Sequence, residues 1–272
     1  MKKFFIALAI VIIIFFVTLG GFYFFAPSHY NILIIGSDQR EGLKEGDVKI
    51  TRGRSDVLMV VSFAKSGKQP ITILMIPRDT LIVDKDYGTE KICHFYALGD
   101  RYESTVMGNL PLTQQKVESL LNIKMNATFE ATFDGFASVI DLLGGVDTDE
   151  GHLTTEEALE LIHNRYSQTN GDFGRAEEQR KILKAVLEKI KQPSYASLVY
   201  NYIRGSKDVR LKYNKASVVI FSIAYLLGHQ GHLNLHNTNE IVLPGEGTML
   251  DGAYYWQVDE SSMKDMINQH LK

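Results

Sequence analysis

Asn31-Ile32-Leu33-Ile34-Ile35-Gly36, Val57-Leu58-Met59-Val60-Val61-Ser62-Phe63 and Ile71-Thr72-Ile73-Leu74-Met75-Ile76 are the three runs that decide the fold. Each is strand length and rich in β-branched residues, and Gly36 and Pro77 stop the first and third. Residues 64–70, with Ser66-Gly67 as turn signal, are short enough to join the second and third as an antiparallel hairpin.

Polar residues collect where these runs end. The first runs into Ser37-Asp38-Gln39-Arg40, the second is preceded by Arg52-Gly53-Arg54-Ser55-Asp56, and the third runs into Arg78-Asp79. If the middle strand is antiparallel to both others, Asp38, Arg54, Asp56, Arg78 and Asp79 gather at one edge of the sheet. Carboxylates beside arginines suit a phosphate together with a divalent cation. Magnesium takes one or two protein carboxylates and completes its shell with phosphate and water. Guanidinium forks match phosphate oxygens. The alternative is a set of strand-end salt bridges on a wet rim. Residues 41–52 and 84–91 read as irregular.

Helices follow. Residues 113–121 are amphipathic, 133–143 end in Gly144-Gly145, and 154–165 open with Thr154-Thr155-Glu156-Glu157. The long helix 173–191 carries an inward stripe of Ile182, Val186 and Ile190 that extends back to Gln179 and Arg175. Polar groups on an inward stripe must find partners, and an anion there would feel the positive helix end. Arg165 closes the preceding helix, where it either joins this group or caps that helix. Residues 215–227 read as a further helix, 240–243 and 253–258 as strands, and a last helix starts at Asp259. The class is α/β, with helices on a mixed or mostly antiparallel sheet.

Length and composition suit one large domain or two small ones: 272 residues, 45% hydrophobic and 22% charged. A net charge of -3 without a basic tail argues against nucleic acid as a partner. Cys93 stands alone, which excludes an intrachain disulfide and a zinc site of several thiolates. Lys2 and Lys3 precede 22 uncharged residues, Phe4 to Phe25. About 20 suffice to span a bilayer, and a cleavable signal core is only ~7–15. With its aromatic flank Phe22-Tyr23-Phe24-Phe25, the segment reads as an uncleaved anchor, lysines inside. Residues 1–27 form the cytoplasmic stub and anchor, and 28–272 one extracytoplasmic domain. The second apolar stretch, 218–227, is too short to span and reads as a buried helix.

Six motifs in order resemble the LytR-CpsA-Psr family: Asn31 to Asp38, Gly53-Arg54-Ser55-Asp56, Ile76-Pro77-Arg78-Asp79, Phe133-Asp134-Gly135-Phe136, Leu143-Gly144-Gly145-Val146-Asp147, and Gly171 to Gln179. The likeness returns at Leu243-Pro244-Gly245 and Ala253 to Asp259. It implies an α/β/α fold with an apolar pocket for a polyprenyl chain. It further implies transfer of a teichoic acid, capsule or similar glycopolymer from a polyprenyl-pyrophosphate carrier to peptidoglycan, at the membrane. By motif position Asp38 and Asp56 would hold Mg2+ or Mn2+. Arg54, Arg78, Arg165, Arg175 and Gln179 would hold the pyrophosphate, with Lys91 beside them. Arg78 and one of Asp56 or Asp79 would serve catalysis, the aspartate as proton acceptor.

The sequence departs from the family at three of these places. His163 stands where an arginine is usual, Cys93 follows Lys91-Ile92 where the family has asparagine, and Glu178 replaces an arginine. Loss of one guanidinium removes a contact of about 1.5–3 kcal/mol. A second reading is therefore a non-catalytic binder of the lipid-linked glycan, or a regulator of envelope assembly.

Overall fold

The computed structural model describes residues 20–21, 23–38, 53–66, 69–98, 109–163, 172–190, 192–229 and 237–272, with the side chains at 163, 172–177, 179 and 180 outside that description. β1 (His29–Ser37), β2 (Ser55–Ala64) and β3 (Ile71–Met75) come first. A hairpin of β4 (Leu81–Asp84) and β5 (Gly88–Lys91) follows, then a 3-10 turn at Ile92–Tyr96. Next are α1 (Leu110–Leu121), β6 (Ala127–Thr132), α2 (Phe133–Leu142) and a hairpin of β7 (Val146–Thr148) and β8 (Gly151–Leu153). Three helices follow: α3 (Thr155–His163), α4 (Asp172–Ile190) and α5 (Pro193–Gly205). β9 (Val209–Tyr213), α6 (Lys215–Gly228), β10 (Thr238–Val242), β11 (Gly245–Leu250), β12 (Ala253–Val258) and α7 (Glu260–His270) complete the described order.

The central sheet runs β10-β3-β2-β1-β6-β9. β2 is antiparallel to β1 and to β3, as the short connection requires. β9 is antiparallel to β6, whereas β6 is parallel to β1 and β10 to β3. The sheet is thus mixed.

Both faces are covered, which is why β1 to β3 read as unbroken apolar runs. On one face Leu33, Ile35, Leu58, Val60 and Leu74 pack with Val117 and Leu121 of α1 and Ile267 of α7. On the other, Met59, Val61 and Ile73 meet Leu183 of α4, and Tyr30 and Ala127 meet Phe221 and Tyr225 of α6. The layering is α/β/α. Ile182 and Val186 are buried as expected, but among α2, α3 and α5, while Leu183 and Leu187 face the sheet.

Several local readings change. Residues 84–91 are ordered as a hairpin: the Asp84 carboxylate accepts from the Asp86 and Tyr87 amides, and Gly88 takes φ 75°. β6 went unread because Glu130 interrupts it. That carboxylate is fully buried and held by Arg210 of β9 at 2.6 and 2.9 Å. β9 also went unread, although Val209, Leu211 and Tyr213 alternate with Arg210 and Lys212. Finally, α6 is only half buried, for Val219, Leu226 and Leu227 are exposed. Most of the expected anchor, residues 1–19 and 22, lies outside the described residues, as do residues 41–52. Among the described residues no helix is long and apolar enough to cross a membrane.

Candidate functional site

The site begins with a defect in the β1–β2 ladder. Gly36 pairs with Val57 but Ser37 pairs with Ser55, so Asp56 is an extra residue on β2. Such a bulge bends the strand and re-aims its side chain, a device common beside functional sites. Just beyond it, Asp38 N donates to Arg54 O at 3.2 Å and Arg54 N donates to the Asp38 carboxylate. The two strand ends are thereby locked together.

The turn after β3 brings the next charges. The Arg78 guanidinium donates to Asp56 Oδ1, closing the gap between the β2 and β3 ends. Asp79 is 8% exposed, and its Oδ1 lies 2.7 Å from the ammonium of Lys91 at the end of β5. Lys91 also sits 5.6 Å from the centroid of the Tyr255 ring on β12. The turn is clamped from below: Thr80 N and Oγ1 donate to Pro77 O, and Trp256 N donates to Asp79 O at 2.9 Å.

Cys93 forms the floor. Its amide donates to Arg78 O, its carbonyl accepts from Ser55 Oγ, and its side chain is fully buried. Burial pushes its thiol up to about 12; Arg78 opposes this, Asp79 and Asp56 add to it, and Arg54 opposes it. A thiol so placed is no nucleophile.

An apolar cavity of about 70 Å³, open to solvent, lies beside this cluster. Gly36, Ser37 and Val57 line it, and they adjoin Asp38 and Asp56 in the chain. Its other walls include Phe129 of β6, Phe133 and Phe136 of α2, Ile162 of α3 and Leu183 of α4. α2 starts at this wall because Thr132, paired with Ser37, caps it by accepting from Gly135 N at 3.1 Å. Gly135 must be glycine, since a Cβ there would lie 2.4 Å from Asp208 O. The positive end of the α2 dipole therefore lies next to the charged cluster.

The structure thus brings together Asp38 with Arg54, Asp56 with Arg78, and Asp79 with Lys91, on adjoining strand ends. Arg165 lies outside the described residues. Arg175 and Gln179 lie in the first half of α4, eight and four residues before Leu183 of the cavity wall, with their side chains outside the description. Sequence reasoning missed the bulge at Asp56 and the part of Tyr255. The Tyr254-Tyr255-Trp256 cluster was a visible signal, but its place beside Lys91 follows from β12 meeting the turn at Thr80.

The sequence pattern of the LytR_cpsA_psr family matches residues 26–152 and 150–272. A polyisoprenyl-teichoic acid–peptidoglycan teichoic acid transferase, TagU, of Bacillus cereus is 30% identical over 259 residues, covering 88% of this chain and 77% of the relative. The protein of the same name from Bacillus subtilis is 26% identical over 262 residues, covering 89% and 77%. Among solved structures, B. subtilis TagU superposes with a TM-score of 0.61 at 21% identity, over 89% of this chain and 95% of that one. TagT bound to LIIa-WTA superposes with a TM-score of 0.63 at 21% identity, over 89% of each chain. These likenesses carry the fold. The match over nearly the whole chain carries more: the protein is a member of the LytR-CpsA-Psr family.

Proposed function

We propose that this chain is a membrane-anchored extracytoplasmic transferase that moves an anionic glycopolymer from a polyprenyl-pyrophosphate carrier to peptidoglycan. One observation carries the reading: an apolar cavity lined by Gly36, Ser37 and Val57 directly adjoins Asp38 and Asp56 of the cluster of arginine, lysine and aspartate. That pairing suits an amphiphile with a greasy tail and an anionic head. The relatives named as teichoic acid transferases support the substrate class.

In this reading the lipid tail occupies the cavity under α2, and the pyrophosphate meets Arg54, Arg78 and Lys91, with Arg165, Arg175 and Gln179 completing the cradle. A peptidoglycan hydroxyl attacks the glycan-side phosphorus and polyprenyl phosphate leaves. The guanidinium groups stabilise charge on the leaving oxygens, where phosphoryl transfer gains most. Asp56 or Asp79 accepts the hydroxyl proton.

Asp38 and Asp56 offer only carboxylate oxygens, and among the described residues no group of three or more His, Cys, Asp and Glu could hold a metal. This donor set fits a hard cation, Mg2+ or Mn2+, shared with phosphate rather than caged by protein. When bound, such an ion supplies neutralisation of the phosphoryl oxygens.

The test is the full chain incubated with lipid-linked glycan, Mg2+ and peptidoglycan. The expected result is glycan bonded to the wall polymer and release of polyprenyl phosphate. Retention of the lipid by native mass spectrometry without any transfer would favour the non-catalytic binder instead. His163 in place of the usual arginine is the feature that speaks for that second reading. His163→Arg separates the two: it accelerates a weakened catalyst and leaves a pure binder without turnover.

A further inference from the structure

The strands of the central sheet have two ends, and the site lies at one of them. At the other end β1 begins, at His29, directly after the apolar N-terminal stretch. Tyr23, Phe24 and Phe25 are exposed there, the last two at 79% and 83%. Lys65, at the end of β2, ties this segment down. Its ammonium donates to Tyr23 O and Ala26 O, and its amide donates to Ser28 O.

α6 lies across this end of the sheet. Phe221 packs on Tyr30 at the start of β1, with ring centroids 5.0 Å apart, and Tyr225 packs on Phe63 at the end of β2. Next, His229 Nε2 lies 3.1 Å from Ala64 O, and a Cβ on Gly228 would lie 2.0 Å from Lys65 O. Ala127, at the start of β6, completes the contact. The helix thus lies on the sheet face beside these strand ends and finishes against the residue that holds Tyr23 and Ala26.

Its outward side mixes apolar and polar residues: Val219, Leu226 and Leu227 are 55%, 51% and 42% exposed, and Lys215 and Ser222 share the stripe of Val219 and Leu226 at helical spacing. The neighbouring strand adds exposed Leu211 and Tyr213. No Asp or Glu occurs from Leu211 to Asn239, and Lys212 and Lys215 flank the helix start. Exposed apolar side chains with basic flanks and no acid suit contact with a lipid interface.

We propose that the outer face of α6 rests on the outer leaflet of the bilayer as a second membrane contact, holding the domain with its strands upright and its site at the far end. The occupant is lipid because α6 ends against Lys65, whose ammonium holds Tyr23 O and Ala26 O beside the exposed Phe24 and Phe25. The inference rests on the membrane-anchored reading above. Lipid contact along α6 as well as at the anchor prevents the domain from swinging freely.

Cys93 is buried and its thiol is pushed up to about 12, so an introduced cysteine can be labelled selectively. A polarity-sensitive fluorophore is placed at Val219→Cys, Leu226→Cys, Phe24→Cys and, at the site end, on exposed Asp134→Cys in the first turn of α2. The full chain is reconstituted in phosphatidylglycerol–phosphatidylethanolamine vesicles doped with nitroxide lipid labelled at shallow depth. Labels at 219 and 226 should lose roughly half or more of their emission, as at 24, because an interfacial helix sits at headgroup depth; the label at 134 should keep its emission. If 24 is quenched while 219 and 226 match 134, the α6 proposal fails and the anchor stands. If 24 is unquenched as well, the membrane reading fails with it. If 219 and 226 are shielded from both lipid nitroxide and aqueous iodide, protein covers this face, such as a second copy, and the proposal is again overturned.

Discussion

Arg78 and Asp56, 22 residues apart in sequence, form an ion pair across the ends of two neighbouring strands. The bulge at Asp56 makes this possible, because a regular β2 would keep residue 56 in register with its neighbour. Both side chains are mostly covered, at 19% and 9% exposure. Removing either leaves the other charge poorly compensated.

Arg78→Ala should therefore cost both stability and transfer. Loss of the guanidinium's hydrogen bond to the Asp56 carboxylate should cost about 1–3 kcal/mol of stability, read by thermal unfolding. Transfer should fall about 100-fold or more, as for loss of one charge-stabilising donor. Arg78→Lys should restore most stability but little turnover, since an ammonium cannot reproduce the fork. Equal recovery of both would mean that the guanidinium serves only the fold.

Ala131 lines the cavity and is 3% exposed. Ala131→Leu should fill part of that space. Native mass spectrometry should then show loss of copurifying polyprenyl pyrophosphate, while far-ultraviolet circular dichroism stays unchanged. Undiminished lipid in a folded variant would place the tail elsewhere.

Asp84 ties the first hairpin to α1 by pairing with Lys116. The hydrogen bond from Lys116, then the Asp86 amide, holds its carboxyl below the ordinary 3.8. A depressed carboxyl stabilises the fold above its unfolded value, and that contribution disappears as pH falls through the lower folded value. Asp84→Asn should accordingly melt earlier than the parent at pH 7, with the gap closing as pH falls through the depressed folded value. A gap that stays constant from pH 7 downward would show that the charge contributes nothing.

Gly135→Ala should destabilise through a backbone clash. The new methyl would meet Asp208 O at 2.4 Å, and a carbonyl that also accepts from Thr132 N has no room to retreat. The expected loss is about 1–3 kcal/mol by overpacking, measured by denaturant unfolding. A variant as stable as the parent would mean that α2 can shift on β9.

Cys93 should resist a thiol reagent in the folded protein at pH 8, because its thiol titrates near 12 and is fully buried. Its modification should follow unfolding. Rapid labelling under native conditions would contradict the tight floor described beneath Asp56 and Arg78.

The three apolar runs made β1 to β3 legible, because strands covered on both faces need no polar alternation. The order of charges around them also pointed to a shared edge, and Asp38, Arg54, Asp56, Arg78 and Asp79 do meet on adjoining strand ends. β6 was illegible for the opposite reason. Glu130 looks hostile to a central strand until Arg210, 80 residues away, is placed against it.

By itself, then, the sequence determined the strand-rich start, the antiparallel hairpin, the helix stops at glycine and proline, and the motifs that give the family. These are local properties of side-chain periodicity and backbone freedom. Tertiary structure alone decided that Asp56 sits on a bulge, that Tyr255 lies over Lys91, and that α6 turns half of an apolar helix outward. Those outcomes depend on which distant segment arrives to cancel a charge or cover a face, and no window of neighbouring residues encodes that arrival.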